Sequence, residues 1–280
     1  MTNKLNVQPM NADVDPLVVD DLRERLSRTR LSGLDDDGDR GISGPWLEEL
    51  LEDWKGLNAT TFPHSTSGLT HLSANIDGQR VHLAMAEGRG PNPTPLLLCN
   101  GWPSSFYEYL DVLPLLTDPA AHGGTAQDAF TVVSPTTPGF GFSAPPPPGG
   151  HTAAQIGEKV IAWSSPDPDG RPAFPRDLLL ANLTLYWATG TIATSMLPYW
   201  KYRHTPSAAL PIDDPSSVPT SVSLFGGERV PFPRLPRELA ERYFSITRWE
   251  EHKTGGHFPA AATPELFAET LRMAFCEMRP

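Results

Sequence analysis

The stretch that most constrains this chain is Asn100-Gly101-Trp102-Pro103-Ser104-Ser105-Phe106, because of its two flanks. Ahead of it, Pro95-Leu96-Leu97-Leu98-Cys99 is a short run with no polar alternation, the pattern of a strand buried on both faces of a parallel sheet. Behind it, Phe106, Tyr107, Leu110, Leu113 and Leu116 recur at helical spacing, which predicts a helix over 104–116 with Ser104 or Ser105 as N-cap. A buried strand therefore hands over to a helix through a sharp Gly-x-Pro turn. Backbone N–H groups at such a turn are free to face a developing negative charge, the requirement of an oxyanion hole. An ordinary connecting loop has the same pattern, so these residues alone leave both readings open.

Two further blocks bear on the choice. Phe130-Thr131-Val132-Val133-Ser134-Pro135 is another buried-strand run, followed by Pro138-Gly139-Phe140-Gly141-Phe142-Ser143. Near the C-terminus, Gly255-Gly256-His257-Phe258 follows a strand-like run from Tyr243 and precedes a helix start at Thr263-Pro264-Glu265. In order and spacing these blocks, with Thr184-Leu185-Tyr186-Trp187-Ala188-Thr189-Gly190-Thr191 between them, resemble the microsomal and juvenile-hormone branch of the epoxide hydrolases. That resemblance implies an α/β-hydrolase fold: a mostly parallel sheet with a helical N-terminal leader and a helical lid. It also implies a small apolar epoxide as substrate, vicinal diol as product, and no cofactor.

One block of the pattern has no counterpart. A relative carries a helix, a buried strand and a nucleophile turn of the Gly-Gly-Asp-Trp-Gly type after the position of Ser143. Here Ser143 leads into Ala144, four prolines and Gly149-Gly150, and sequence like that beyond the nucleophile resumes near Ala153. No small-x-nucleophile-x-small turn follows an apolar strand anywhere in the chain. The nearest pattern, Thr189 to Ala193, falls in the helical lid-like segment, and Asp167 and Asp169 fall in a Pro/Gly loop. The expected nucleophile is none, and the sheet is predicted to lack its nucleophile-strand region, leaving neighbouring strands with open edges and apolar faces uncovered.

Around these motifs the organisation is regular. Asp15-Pro16 opens a helix with Val18 or Val19, Leu22 and Leu26 on one stripe, and Ser43-Gly44-Pro45 opens a second with Trp46, Leu47, Leu50, Leu51 and Trp54 inward. The loop Asp35–Arg40 between them is acidic. Strands are predicted at 72–76 and 80–86 around Asp77-Gly78, at 130–134, at 221–225 and at 243–250, and helices at 156–163, 178–195, 235–242 and 265–278. By resemblance, 1–65 is the leader, 66–150 the first part of the hydrolase core, 151–217 the lid-like segment and 218–280 the rest of the core.

Specific residues carry the chemistry. His257 ends a strand after two glycines, and the resemblance makes it the general base that activates water. Glu228, in Phe225-Gly226-Gly227-Glu228, matches the carboxylate that orients such a base. Tyr199 matches a lid tyrosine that donates to the epoxide oxygen; a phenol suits this because it is neutral at pH 7. Gly101, Trp102 and Pro103 form the oxyanion loop, with Asn100 where relatives carry histidine. Tyr186 and Trp187 read as lid packing.

Bulk properties exclude other classes. With 33 acidic against 22 basic side chains the net charge is −11, which argues against nucleic acid or an anionic membrane as partner. The histidines show no metal spacing with cysteines or carboxylates, so no metal is expected. Cys99 and Cys276 read as free, packed thiols of a reducing compartment, and with no apolar leader at 1–15 the location expected is cytoplasmic. Three explanations of the lost block stand: a shortened version of an active enzyme, a pseudoenzyme binding apolar ligands or a protein partner, and a hydrolase using His257 and Glu228 without covalent catalysis. The oligomeric state is not legible from the sequence.

Overall fold

The computed structural model describes residues 6–31, 43–57, 68–76, 78–144, 154–164, 172–197, 199, 216–228, 230 and 233–276. The acidic loop 35–40, Asp77, Asp167 and Asp169 lie outside them. Strand β1 (Val7–Pro9) is followed by helices α1 (Pro16–Ser27) and α2 (Gly44–Gly56), then by β2 (Thr70–Ile76), β3 (Gln79–Ala86) and β4 (Thr94–Leu97). After the turn come α3 (Leu113–Thr117), β5 (Phe130–Pro135), α4 (Ala154–Trp163), α5 (Arg176–Ala188) and α6 (Ile192–Ser195). The remainder is β6 (Ser216–Gly226), α7 (Arg237–Ala240), β7 (Phe244–Gly255), α8 (Pro259–Ala262) and α9 (Pro264–Cys276).

The strands form two sheets, one ordered β1-β2-β3-β5-β4 and the other β6-β7. The first is mixed rather than mostly parallel. β1/β2, β2/β3 and β3/β5 are antiparallel, while β4/β5 and β6/β7 are parallel. The cause lies in the connections. β2 and β3 are joined by a tight turn at Gly78 (φ 82°), and so short a link joins only antiparallel neighbours. β4 and β5 are separated by the α3 region, long enough for a parallel crossover.

Two predicted helices are broken. In place of one helix over 104–116 there is a 3₁₀ turn at Phe106–Tyr109 and then α3, in whose first turn Pro114 sits. Proline lacks the N–H that a continuing helix would need there, so the helix restarts around it. The helix expected over 178–195 stops at Ala188, because Gly190 turns into the left-handed region (φ 65°) before α6 begins.

The leader helices settle the register that the sequence left open. Asp15 caps α1 by accepting from Leu17 N, Pro16 fills its first turn, and Val19, not Val18, joins Leu22 and Leu26 in the buried stripe. Leu22 and Leu26 meet Leu50 and Trp54 of α2 and Leu178, Leu179 and Leu183 of α5 in one apolar cluster. α5 is buried continuously from Leu178 to Tyr186, the pattern of a helix enclosed on all sides. Thr184 Oγ1 on it donates to Leu180 O and accepts from Trp54 Nε1 at 2.8 Å. A second cluster joins Leu96 and Leu98 to Val112, Leu116, Phe130, Val132 and the underside of α9.

Cys99 and Cys276 are free, as expected, but both are exposed rather than packed. Cys99 shares the uncovered face of the β4 run with Leu97, and Cys276 ends α9. Among the described residues no helix is long and apolar enough to cross a membrane. Because Trp54 combines a buried ring with a buried hydrogen bond, Trp54→Ala is expected to cost about 3–5 kcal/mol and Trp54→Phe about 1 kcal/mol, read as shifts in the urea midpoint.

Candidate active site

The site is assembled by two glycine turns that bring strand ends together. β6 ends at Gly226 and β7 at Gly255, and Gly256 N donates to Gly226 O at 2.9 Å. A Cβ on Gly226 would lie 2.3 Å from Lys253 O, and one on Gly255, itself at φ 115°, would lie 2.5 Å from the Phe225 ring. Only glycines allow this approach. Its result is that Glu228, two residues past one turn, meets His257, two residues past the other. His257 Nδ1 and Glu228 Oε1 are 2.6 Å apart, with both side chains rather less than a third exposed. A carboxylate accepting from Nδ1 leaves Nε2 as the ring's proton acceptor, the tautomer a general base needs.

The Gly101–Pro103 turn is held from behind. Ser104 N donates to Gly101 O at 3.0 Å, Asn182 Nδ2 of α5 donates to Pro103 O at 2.9 Å, and the Tyr186 hydroxyl donates to Ser104 O at 2.9 Å. Ser105 is the N-cap, accepting from Tyr107 N. Trp102 Nε1 donates to Ser195 Oγ at 3.2 Å. The front of the turn is open, since a Cβ on Gly101 would meet nothing within 4 Å. The Pro138–Ser143 loop is anchored to the same region through Gly141 N to Thr191 Oγ1 (3.1 Å) and Thr194 Oγ1 to Gly139 O.

Aromatic rings connect the parts. The Tyr199 ring stands edge-on to Trp102 at 5.2 Å, Trp102 to Trp163 at 5.8 Å, and Trp163 to His257 at 5.0 Å. Tyr199, Trp102 and His257 thus lie along one aromatic wall, with Glu228 behind the histidine. Tyr199 is 43% exposed, and its partial burial raises the phenol above its ordinary value, keeping it protonated at neutral pH. Asn100 points away from this wall, with Nδ2 donating to Gly101 O at 3.1 Å. Tyr186 is buried and serves the turn, while Trp187 packs on the core around α5. Gly190, the centre of the elbow-like Thr189–Ala193 pattern, lies between two helices and not after a strand.

Sequence reasoning missed three participants. Trp163 on α4, Ser195 on α6 and Asn182 on α5 have no motif; each is placed by helix packing. Glu108 was also missed. It is 7% exposed behind the turn, and burial lifts its carboxyl to about 7 against the opposing effect of a Ser104 hydrogen bond.

Comparison with known proteins places this arrangement. Residues 7–109 match the family described as "Epoxide hydrolase N terminus". A "Putative epoxide hydrolase" of Stigmatella aurantiaca is 27% identical across 98% of this chain and 86% of its own length. The chain is similar to epoxide hydrolases along nearly its whole length. That alignment runs over 390 positions, 110 more than the 280 residues present here. The juvenile hormone epoxide hydrolase of Manduca sexta is 32% identical over 54% of this chain but only 34% of its own length, so the chain spans about a third of that relative. The crystal structure of juvenile hormone epoxide hydrolase from the silkworm Bombyx mori shares the fold, with a TM-score of 0.78 and 20% identity over 99% of this chain and 95% of that one.

Two outcomes are expected for this chain. Gly226→Ala forces the β6 and β7 ends apart and costs about 1–3 kcal/mol, read by urea denaturation. For Glu108, whose folded carboxyl titrates at about 7 rather than in the ordinary glutamate range, the stability it contributes is present below the unfolded value and lost as pH rises through about 7. Glu108→Gln is therefore expected to match the parent at pH 4 and exceed it by about 1–3 kcal/mol at pH 8, giving a flatter midpoint-versus-pH curve.

Proposed function

We propose that the His257–Glu228 pair is the water-activating half of an epoxide hydrolase, and that the chain as written lacks the carboxylate nucleophile that makes the other half work. The observation that carries this reading is the 2.6 Å contact between His257 Nδ1 and Glu228 Oε1 at the ends of adjacent strands, on one wall with Trp102 and Tyr199. The substrate class is a small apolar epoxide, in keeping with the aromatic lining and with the activity named for the relatives.

In a complete site the chemistry runs in two steps. A carboxylate attacks one epoxide carbon, the C–O bond breaks, and Tyr199 donates its proton to the departing oxygen, leaving a hydroxyalkyl ester. His257 Nε2 then takes a proton from water as that water attacks the ester carbonyl, and Glu228 stabilises the resulting imidazolium. As that adduct collapses, its hydroxyl proton passes to the departing alkoxide, the carboxylate returns, a vicinal diol leaves, and the imidazolium proton replaces the one Tyr199 gave up. The Gly101–Trp102 turn offers backbone N–H groups to the oxyanion of the second step.

The missing elbow supports an impaired first step. Losing a covalent nucleophile costs several orders of magnitude in rate. The chain is expected to form no diol from a styrene-oxide-type substrate above a His257→Ala control, and mass spectrometry is expected to find no alkylated carboxylate. An ester that forms and releases diol would oblige a different nucleophile. With a relative's helix–strand–nucleophile block inserted between Gly150 and Ala153, diol formation is expected to return. In that background His257→Ala should accumulate ester, Glu228→Gln should do so more mildly, and Tyr199→Phe should slow ester formation instead. Turnover of the inserted His257→Ala chain at its parent's rate would reject the base assignment.

A further inference from the structure

Away from the dyad, a cavity of about 500 Å³ opens between β6 and helix α9. Phe225, Phe267, Leu271 and Phe275 give it an apolar lining, and Val218, 66% exposed, gives it an apolar entrance. Neither Glu228 nor His257 lines it. Apolar cavities of about 150 Å³ take up benzene, and small-molecule sites span about 300–1,000 Å³. The lining also carries hydroxyls, and two of them are spent on the backbone. Thr220 Oγ1 donates to Val218 O, and Thr270 Oγ1 to Leu266 O, both at 2.9 Å. Ser221 Oγ differs, being buried with no hydrogen-bond partner among the described residues. A buried hydroxyl left unpaired is costly, so a bound atom that pairs with it is favoured. No charged side chain among the described residues lines the cavity. Across the parallel pair Arg248 stands opposite Ser221 and Glu250 opposite Ser223, and Arg248 Nη2 and Glu250 Oε1 form an ion pair with each other.

We propose that this cavity binds one uncharged amphiphile, in its simplest form a long-chain primary alcohol, with its hydrocarbon against Phe267, Leu271 and Phe275 and its oxygen on Ser221 Oγ. The site is distinct from the dyad and does not rest on the catalytic reading. The lining selects this chemistry in three ways. Its phenyl rings and Leu271 take hydrocarbon out of water, and a void there would leave them without contacts on one side. A serine hydroxyl both donates and accepts, so it pairs with a neutral oxygen head with no change of protonation. It turns on the single χ1 bond, whose staggered wells let it aim at a bound oxygen. Ionised heads fit worse. A carboxylate or an ammonium would leave water for a lining without opposite charge, because Arg248 and Glu250 already answer each other. A pure hydrocarbon would fill the space and leave Ser221 Oγ unpaired.

The probes are 1-decanol, decanoate and decylammonium, each titrated calorimetrically into the full chain below its solubility limit. The expected result is one saturable site for 1-decanol, with both ionised heads bound at least about tenfold more weakly. Ser221→Ala removes a hydroxyl that holds no partner, so the fold is kept while 1-decanol binding weakens about tenfold. Leu271→Trp fills the cavity and is expected to abolish binding; if it also lowers the urea midpoint, Ser221→Ala decides. His257→Ala is expected to leave the 1-decanol Kd unchanged. No saturable binding of 1-decanol, an ionised head bound as tightly, or Ser221→Ala binding like the parent overturns the site. Binding lost with His257→Ala places the alcohol at the dyad and overturns it too. Diol formation is not scored here, so loss of this site leaves the catalytic reading standing, and loss of that reading leaves this site.

Discussion

Helix α9 is the element on which the rest depends, because it is what the two sheets share. Its Phe267 ring lies between Tyr109, just beyond the Gly101–Pro103 turn, and Phe225, just before the Gly226 turn. Phe275 stands edge-on to Phe130 of β5 at 5.6 Å, and Ala268 is fully buried in the same cluster. A buried aromatic side chain contributes about 1.5–3 kcal/mol through its area alone. A few such rings hold the β6–β7 pair, and with it His257 and Glu228, in the same body as the loop whose backbone N–H groups they would work with.

The dyad and the loop are fixed by different physics. His257 meets Glu228 because Gly226 approaches the Lys253 carbonyl, and Gly255 the Phe225 ring, more closely than a Cβ allows, a constraint written into residue type. The Gly101–Pro103 turn is fixed by side chains of α5 and α6: Asn182, Tyr186 and Ser195 each reach it from a helix 79 or more residues away in sequence. The first arrangement survives on local geometry. The second exists only while α5 and α6 are packed.

Glu108 and His82 show what such packing does to charge. Burial raises the Glu108 carboxyl to about 7, and burial lowers the His82 ring to about 3, helped by the neighbouring charges of His71 and Arg80. Their effects on stability oppose one another. The Glu108 contribution is lost as pH rises through about 7, whereas the His82 contribution is present above its unfolded value of about 6.5 and lost as pH falls toward about 3. His82 keeps its neutral ring between His71 Nδ1, 2.9 Å from its Nε2, and Thr136 Oγ1, 2.8 Å from its Nδ1, and Glu108 bonds Ser104, so neither group is left without a hydrogen bond.

The sequence by itself determined the resemblance to epoxide hydrolases, the order of most elements and the choice of His257 and Glu228 as candidates, which the fold brings to 2.6 Å. Those readings rest on local rules: apolar runs, cap residues, and paired glycines whose conformations few other residues adopt. Only the tertiary structure decided that the sheet is mixed and split, that Pro114 and Gly190 break their helices, that Trp163 joins the histidine to the turn, and that Leu97 and Cys99 are uncovered. The physical reason is separation along the chain. A strand's own residues say that it suits a buried place on both faces, but whether a second face is covered depends on residues elsewhere, and here the covering segment has no counterpart among the residues described.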